Sequence, residues 1–105
     1  MEFVKVARVS DVAPGVGLRV DIGDESIAIF NLDGEFYAIG DVCTHEETSL
    51  ADGDVFGDVV ECPLHGAEFD IRSGKALSLP AVLPVPTYTV RVEGDDILVD
   101  PEPRE

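Results

Sequence analysis

The sequence predicts an all-β fold, and three observations carry that expectation. Apolar and polar residues alternate over several short stretches, the period of a strand with one buried face. Turn formers punctuate those stretches, with ten Gly and seven Pro in 105 residues. No window of 12 residues keeps a helical period.

Taken in order, residues 3–9 alternate around Val4 and Val6, then stop at Ser10-Asp11 and Pro14-Gly15. Residues 18–22 form a second strand pattern closed by Gly23-Asp24. Residues 26–32 and 35–39 flank Asp33-Gly34, the strongest short hairpin signal in the chain. Residues 59–62 and 67–71 are strand candidates around a Pro63-Leu64-His65-Gly66 turn, with Arg72-Ser73-Gly74-Lys75 as the next turn. A last hairpin runs through 88–93, Gly94-Asp95 and 96–100, and the tail 101–105 is expected to fray. Phe30, Phe36, Tyr37, Phe69 and Tyr88 fall in these patterns and are assigned to the core. Two stretches break the rhythm. Residues 41–58 are acidic with few alternating apolar residues, and residues 78–87 carry Pro80, Pro84 and Pro86, which excludes a central strand. Long irregular segments of this kind in a small domain are functional or disordered.

The length predicts a single domain over residues 1–105 with one modest core. An apolar fraction of 45% is too high for a disordered chain. With 22 acidic against 7 basic side chains the net charge is −15, which excludes a nucleic-acid binder and an anionic-membrane binder and favours a partner with a basic face. Met1-Glu2-Phe3-Val4-Lys5 has no secretory pattern, and no apolar run approaches the ~20 residues that span a bilayer. A cytoplasmic location is therefore expected.

The chemistry lies in four residues. The chain has two Cys and two His, and they fall into two tight pairs, Cys43-Thr44-His45 and Cys62-Pro63-Leu64-His65. The spacing is C-x-H, sixteen residues, then C-x-x-H. Packing gives no reason for each His to follow a Cys so closely, so the four read as metal ligands. Two thiolates and two imidazoles suit tetrahedral zinc. Zinc knuckles, however, pair like with like, whereas here each loop supplies one Cys and one His. That arrangement suits a two-iron cluster with both Cys on one iron and both His on the other.

Cys43-Thr44-His45 and Cys62-Pro63-Leu64-His65-Gly66, followed by Phe69-Asp70 and Ser73-Gly74-Lys75, resemble the Rieske iron–sulfur family, and Pro80 lies where that family places a proline-rich loop. The resemblance covers nearly the whole chain. It implies an antiparallel β-sandwich with a small cluster-binding subdomain over about residues 41–80. It implies one [2Fe–2S] cluster, with Cys43 and Cys62 on the inner iron and His45 and His65 on the outer. Imidazole donates less charge than thiolate, so the outer iron is the more easily reduced. Pro63 would restrain the loop, and Gly66 would let backbone amides approach the sulfides.

The departures from the family also inform. Rieske proteins that oxidise quinols tie their loops with a disulfide; the matching positions here are Thr48 and Leu64. They also place hydroxyls where this chain has Ala67 and Phe69. Hydroxyl donors stabilise the reduced cluster, so their loss lowers the potential, and Glu46, Glu47 and Glu68 push the same way. The expected midpoint is roughly −150 mV, the low end of the Rieske range.

The implied function is that of the soluble Rieske ferredoxins of bacterial aromatic-ring-hydroxylating dioxygenase systems. Such a monomer takes single electrons from a NAD(P)H-dependent flavoprotein reductase and delivers them to a terminal oxygenase. No ligands remain for a mononuclear iron, so the chain is read as a carrier and not as an enzyme. Leu64 and Pro80 are candidate docking contacts, with Glu46 and Glu47 orienting a basic partner. The alternatives are a small subunit of an assimilatory nitrite reductase, a ferredoxin serving iron–sulfur assembly, and a redox-silent zinc domain. Gly15-Val16-Gly17 lacks the third glycine of a dinucleotide fingerprint. Asp52, Asp54 and Asp58 lack the terminal Glu of a calcium loop and read as a solvated turn.

Overall fold

The alternating segments pair as antiparallel hairpins, and their corners are set by residues that tolerate positive φ. The computed structural model describes residues 3–43, 48–63, 66–78 and 83–104. Among them, regular structure consists of strands and two 3₁₀ turns, Val9–Asp11 and Leu50–Asp52, with no α-helix. The strands in chain order are β1 (Val4–Arg8), β2 (Leu18–Ile22), β3 (Glu25–Leu32), β4 (Glu35–Gly40), β5 (Asp54–Phe56), β6 (Val59–Glu61), β7 (Glu68–Asp70), β8 (Thr87–Tyr88), β9 (Val90–Glu93) and β10 (Asp96–Val99). They form three antiparallel sheets with strand orders β1-β10-β9, β2-β3-β4-β8 and β5-β6-β7.

The β3–β4 corner has Asp33 at φ 55° and Gly34 at φ 90°, the two positive values that a type I′ hairpin needs. The Asn31 side-chain oxygen accepts the Gly34 N–H at 2.8 Å. Three other hairpins repeat one device, a Gly of positive φ followed by Asp: Gly23 (60°), Gly57 (59°) and Gly94 (62°). The middle one joins β5 to β6. It lies at the end of the stretch 41–58 that its composition marks as irregular. The strand escapes a sequence reading because it is three residues long and ends on Phe56, which is 58% exposed.

A single core was expected, but buried side chains form two. Ile27 and Ile29 of β3 and Ala38 of β4 face Val12, Tyr88, Ile97 and Val99 in the base. Ala28, Phe30 and Leu32 of β3 and Ile39 of β4 face the other way, towards Leu50, Val60, Phe69, Ile71 and Val85. Strand side chains alternate between faces, so β3 serves both cores at once. Of the aromatic residues assigned to the core, Phe30, Phe69 and Tyr88 are fully buried, while Phe36 and Tyr37 are partly so.

Two further contacts tie the sheets together. Arg72, after β7, donates to the Tyr37 hydroxyl at 2.7 Å, pairs with Asp58 at 3.3 Å and lies 5.0 Å from the Tyr37 ring centroid. The tail departs from expectation: the Arg104 N–H donates to the Thr87 carbonyl at 2.7 Å, and Glu102 N–H to the buried Asp100 carboxylate at 3.0 Å. The proline-rich segment behaves as its composition requires. Its described residues 83–86 carry no strand, and the Pro86 carbonyl accepts the Gly40 N–H at 2.8 Å.

Candidate metal centre

β4 ends at Gly40, and the chain turns at once into the first ligand segment. Its two stems are held together. Val42 bridges to Ser49, and the Cys43 N–H donates to the Thr48 carbonyl at 3.0 Å. Asp41 reinforces the closure. It is 1% exposed, its carbonyl accepts the Leu50 N–H at 2.7 Å, and its Oδ1 accepts the Ser49 hydroxyl at 2.8 Å and the Ala51 N–H at 2.9 Å. Nothing in the sequence singles out this carboxylate among 22 acidic residues.

The second ligand segment is the tip of the β6–β7 hairpin. Glu61 pairs with Glu68, the Cys62 N–H donates to the Ala67 carbonyl at 2.7 Å, and the Gly66 N–H donates to the Cys62 carbonyl at 3.1 Å. Gly66 sits at φ 74°, a region that disfavours any Cβ. The residue closes a tight turn, and its own amide serves the Cys62 carbonyl.

Cys43 and Cys62 are 2% and 1% exposed and belong to the same core, with Ala67, Phe69 and Phe30 around them. Neither is in a disulfide. Two thiols carried by two closed loop stems into one core match the donor chemistry of an iron–sulfur cluster. Buried thiolates need a metal's positive charge to offset their desolvation. The two histidines, His45 and His65, lie outside the described residues, as do Glu46, Glu47, Leu64 and Pro80. Among the described residues no three His, Cys, Asp or Glu side chains converge as a metal site. Ala67 and Phe69, the residues that replace hydroxyl donors, are both fully buried.

The electrostatics around the two segments are acidic. Strand register sets Asp54 opposite Glu61 and Glu61 opposite Glu68, a row of carboxylates leading to the second tip. Arg19 on β2 supplies positive charge near the first. Its Nε is 3.7 Å from Asp41 Oδ2 and 3.3 Å from Asp21 Oδ1. The Ser26 hydroxyl, with help from Arg19 and against some desolvation, holds the Asp21 carboxyl below its ordinary value. Away from the site, burial and a hydrogen bond to Glu35 push the Tyr37 hydroxyl up, and Asp58 does the same for Arg72. Burial raises Tyr88.

The Rieske [2Fe-2S] domain model matches residues 2–89. The chain is 47% identical over 102 residues to the ferredoxin component of biphenyl 2,3-dioxygenase from Rhodococcus jostii (strain RHA1), covering 97% of this chain and 95% of that protein. It is 48% identical over 101 residues to the 3-phenylpropionate/cinnamic acid dioxygenase ferredoxin subunit of Escherichia coli (strain K12), covering 95% and 94%. Among solved structures, a complex of reduced oxygenase and oxidized ferredoxin in carbazole 1,9a-dioxygenase contains a chain that superposes with a TM-score of 0.92 at 36% identity, covering 98% of this chain and 96% of that one. With its paired loop stems, its two buried cysteines and a family match over most of its length, this chain belongs to the Rieske [2Fe-2S] domain family.

Proposed function

We propose that the protein is the ferredoxin of an aromatic-ring-hydroxylating dioxygenase system, carrying single electrons from a NAD(P)H-dependent flavoprotein reductase to a terminal oxygenase. The observation that carries this reading is the shared burial of Cys43 and Cys62 at two closed loop stems, in a chain nearly half identical to dioxygenase ferredoxins. One [2Fe–2S] cluster would be held by Cys43, His45, Cys62 and His65, and it would supply a site that gains and loses one electron without breaking a bond. The chain forms one domain over residues 1–105, with a cluster-binding subdomain over about 41–80. The third sheet, β5-β6-β7, falls inside that subdomain and supports the division.

The remaining residues hold the site and present it. Asp41, Ser49 and Thr48 close the first loop, and Ala67 and Gly66 close the second. Core packing around the cysteines excludes water from their side of the site. Delivery to the oxygenase takes place at the loop tips. Val42, Leu77 and Leu83, which are 49%, 48% and 62% exposed, flank the ligand loops and the 79–82 segment in sequence and would join Leu64 and Pro80 in docking. The protein works in the cytoplasm as a monomer. No helix among the described residues is long and apolar enough to cross a membrane.

The test is reconstitution. Reduced, iron-replete protein should give a rhombic EPR signal and should restore substrate oxidation when added to a flavoprotein reductase and a terminal dioxygenase. His45→Ala or His65→Ala should abolish both signal and electron delivery. A chain that binds zinc, contains no iron and stays EPR-silent would overturn the reading.

A further inference from the structure

We propose that Asp41 is a positioning residue that clips the first ligand loop shut, and that its buried carboxylate biases the site against accepting an electron. The inference rests on the reading that the Cys43 loop holds the cluster. Asp41 lies two residues before Cys43 and is 1% exposed. Through its carbonyl and Oδ1 it binds three consecutive residues of the far stem: Ser49 at 2.8 Å, Leu50 at 2.7 Å and Ala51 at 2.9 Å. Its own N–H donates to the Ser26 carbonyl at 2.9 Å, which anchors the clip to β3. One residue, through its side chain and its backbone, thus fixes the separation of the two ends of the loop that carries Cys43 and His45.

The same carboxylate is incompletely neutralised. A hydroxyl and an amide offset part of its charge, and the cation facing it is Arg19, with Nε 3.7 Å from Oδ2. That Arg side chain is 54% exposed and is shared with Asp21 at 3.3 Å and the Ser26 hydroxyl at 3.2 Å. Uptake of one electron from the reduced flavoprotein adds one negative charge to the site and breaks no bond; passage to the oxygenase removes it again. A carboxylate on the protein side of that site is poorly screened by solvent and opposes the added charge. Arg19 relieves this opposition in part.

The experiment uses the holoprotein and three variants, each measured for iron content, EPR midpoint potential, iron loss to a chelator and thermal unfolding. Asp41→Asn keeps an oxygen for Ser49 and Ala51 but removes the charge, so its midpoint should rise. Arg19→Gln should move the midpoint the opposite way. Ser49→Ala keeps the charge and removes one bond of the clip, so it should lose iron several-fold faster with a midpoint near wild type. A merely structural Asp41 would lower the unfolding temperature of Asp41→Asn and leave both midpoints unmoved, which overturns the charge role. Wild-type iron retention in Ser49→Ala overturns the clip. If Asp41→Asn does not fold, Arg19→Gln decides the charge role alone. Absence of iron and of the rhombic signal from the wild-type protein would instead refute the underlying reading of the loops.

Discussion

Gly53 has backbone angles open to any residue, φ −79° and ψ 165°, yet no side chain fits there. A Cβ would overlap the carbonyl oxygen of Glu61. The end of the first loop therefore lies directly on the strand that feeds the second, and the obstacle is backbone, which cannot swing aside. Gly53→Ala is expected to cost about 1–3 kcal/mol, the range for overpacking, measured as a lowered urea midpoint at unchanged slope. Ala67 and Phe69 work at the same scale on chemistry instead of packing. Both are fully buried beside the cysteines and neither side chain can donate a hydrogen bond. Ala67→Ser combined with Phe69→Tyr should raise the midpoint from its expected value of roughly −150 mV, checked by redox titration. An unchanged value would assign control of the potential to charge or solvent exposure. How far such residues are legible depends on how rare they are. The two Cys and two His are the chain's full complement and their pairing is visible at once. Asp41 is hidden among many acids, because what distinguishes it is burial, and burial depends on strands that close around it from elsewhere in the chain. Gly66 was legible as a glycine that the loop requires, but the cause is a positive φ, which a sequence does not display.

Among the elements, β3 carries the most. Its odd-numbered Ile27 and Ile29 pack into the base, and its even-numbered Ala28, Phe30 and Leu32 pack into the core that also holds the cysteines. Disturbing one face should not disturb the other equally. Phe30→Ala is expected to cost about 3–5 kcal/mol and to alter the EPR signal of the holoprotein. Ile29→Val should cost about 0.5–1.5 kcal/mol and leave the signal as it is. The checks are urea unfolding and EPR on the same samples. Equal spectral effects would mean that the two cores behave as one. Most hairpins were readable from turn chemistry: Asp33-Gly34 takes the two positive φ values that such a dipeptide favours, and Gly94-Asp95 closes the last hairpin. The β5–β6 hairpin shares the Gly-Asp corner at Gly57-Asp58 and still passed unread, since acidic residues on either side mask a strand of three residues. The double core was unreadable for a different reason. A strand buried on both faces is a continuous apolar run, and such a run does not say how many cores it serves.

For the molecule as a whole, charge is the dominant feature. A net −15 is held within a Cα radius of gyration of 12.5 Å. That size is comparable with the Debye length of roughly 8 Å at physiological ionic strength and well below the roughly 30 Å at 0.01 M. At low salt, therefore, every carboxylate repels nearly every other. Raising the ionic strength from about 0.01 to about 0.15 M should raise the urea unfolding midpoint through relief of self-repulsion. The same change should slow electron delivery to a partner with a basic docking face, followed by stopped-flow mixing. A delivery rate indifferent to salt would show that the contact surface is apolar.

The two-sidedness of β3 also governs which changes in chain length the protein can survive. Neither face of the strand is marked by polarity, so hydrophobicity alone would accept a neighbouring strand turned over against it. What forbids this is the length of the two-residue corners, Gly23-Asp24 and Asp33-Gly34, which set Ile22 opposite Glu25 and Leu32 opposite Glu35. One residue inserted after Gly34 would exchange the sides of Ala38 and Ile39 and reverse the exit from β4 that leads to Cys43. The product would still collapse, with its apolar side chains buried, but its cysteines would no longer meet. Insertions should be purged from these corners, where an error leaves the chain compact and incapable of holding iron.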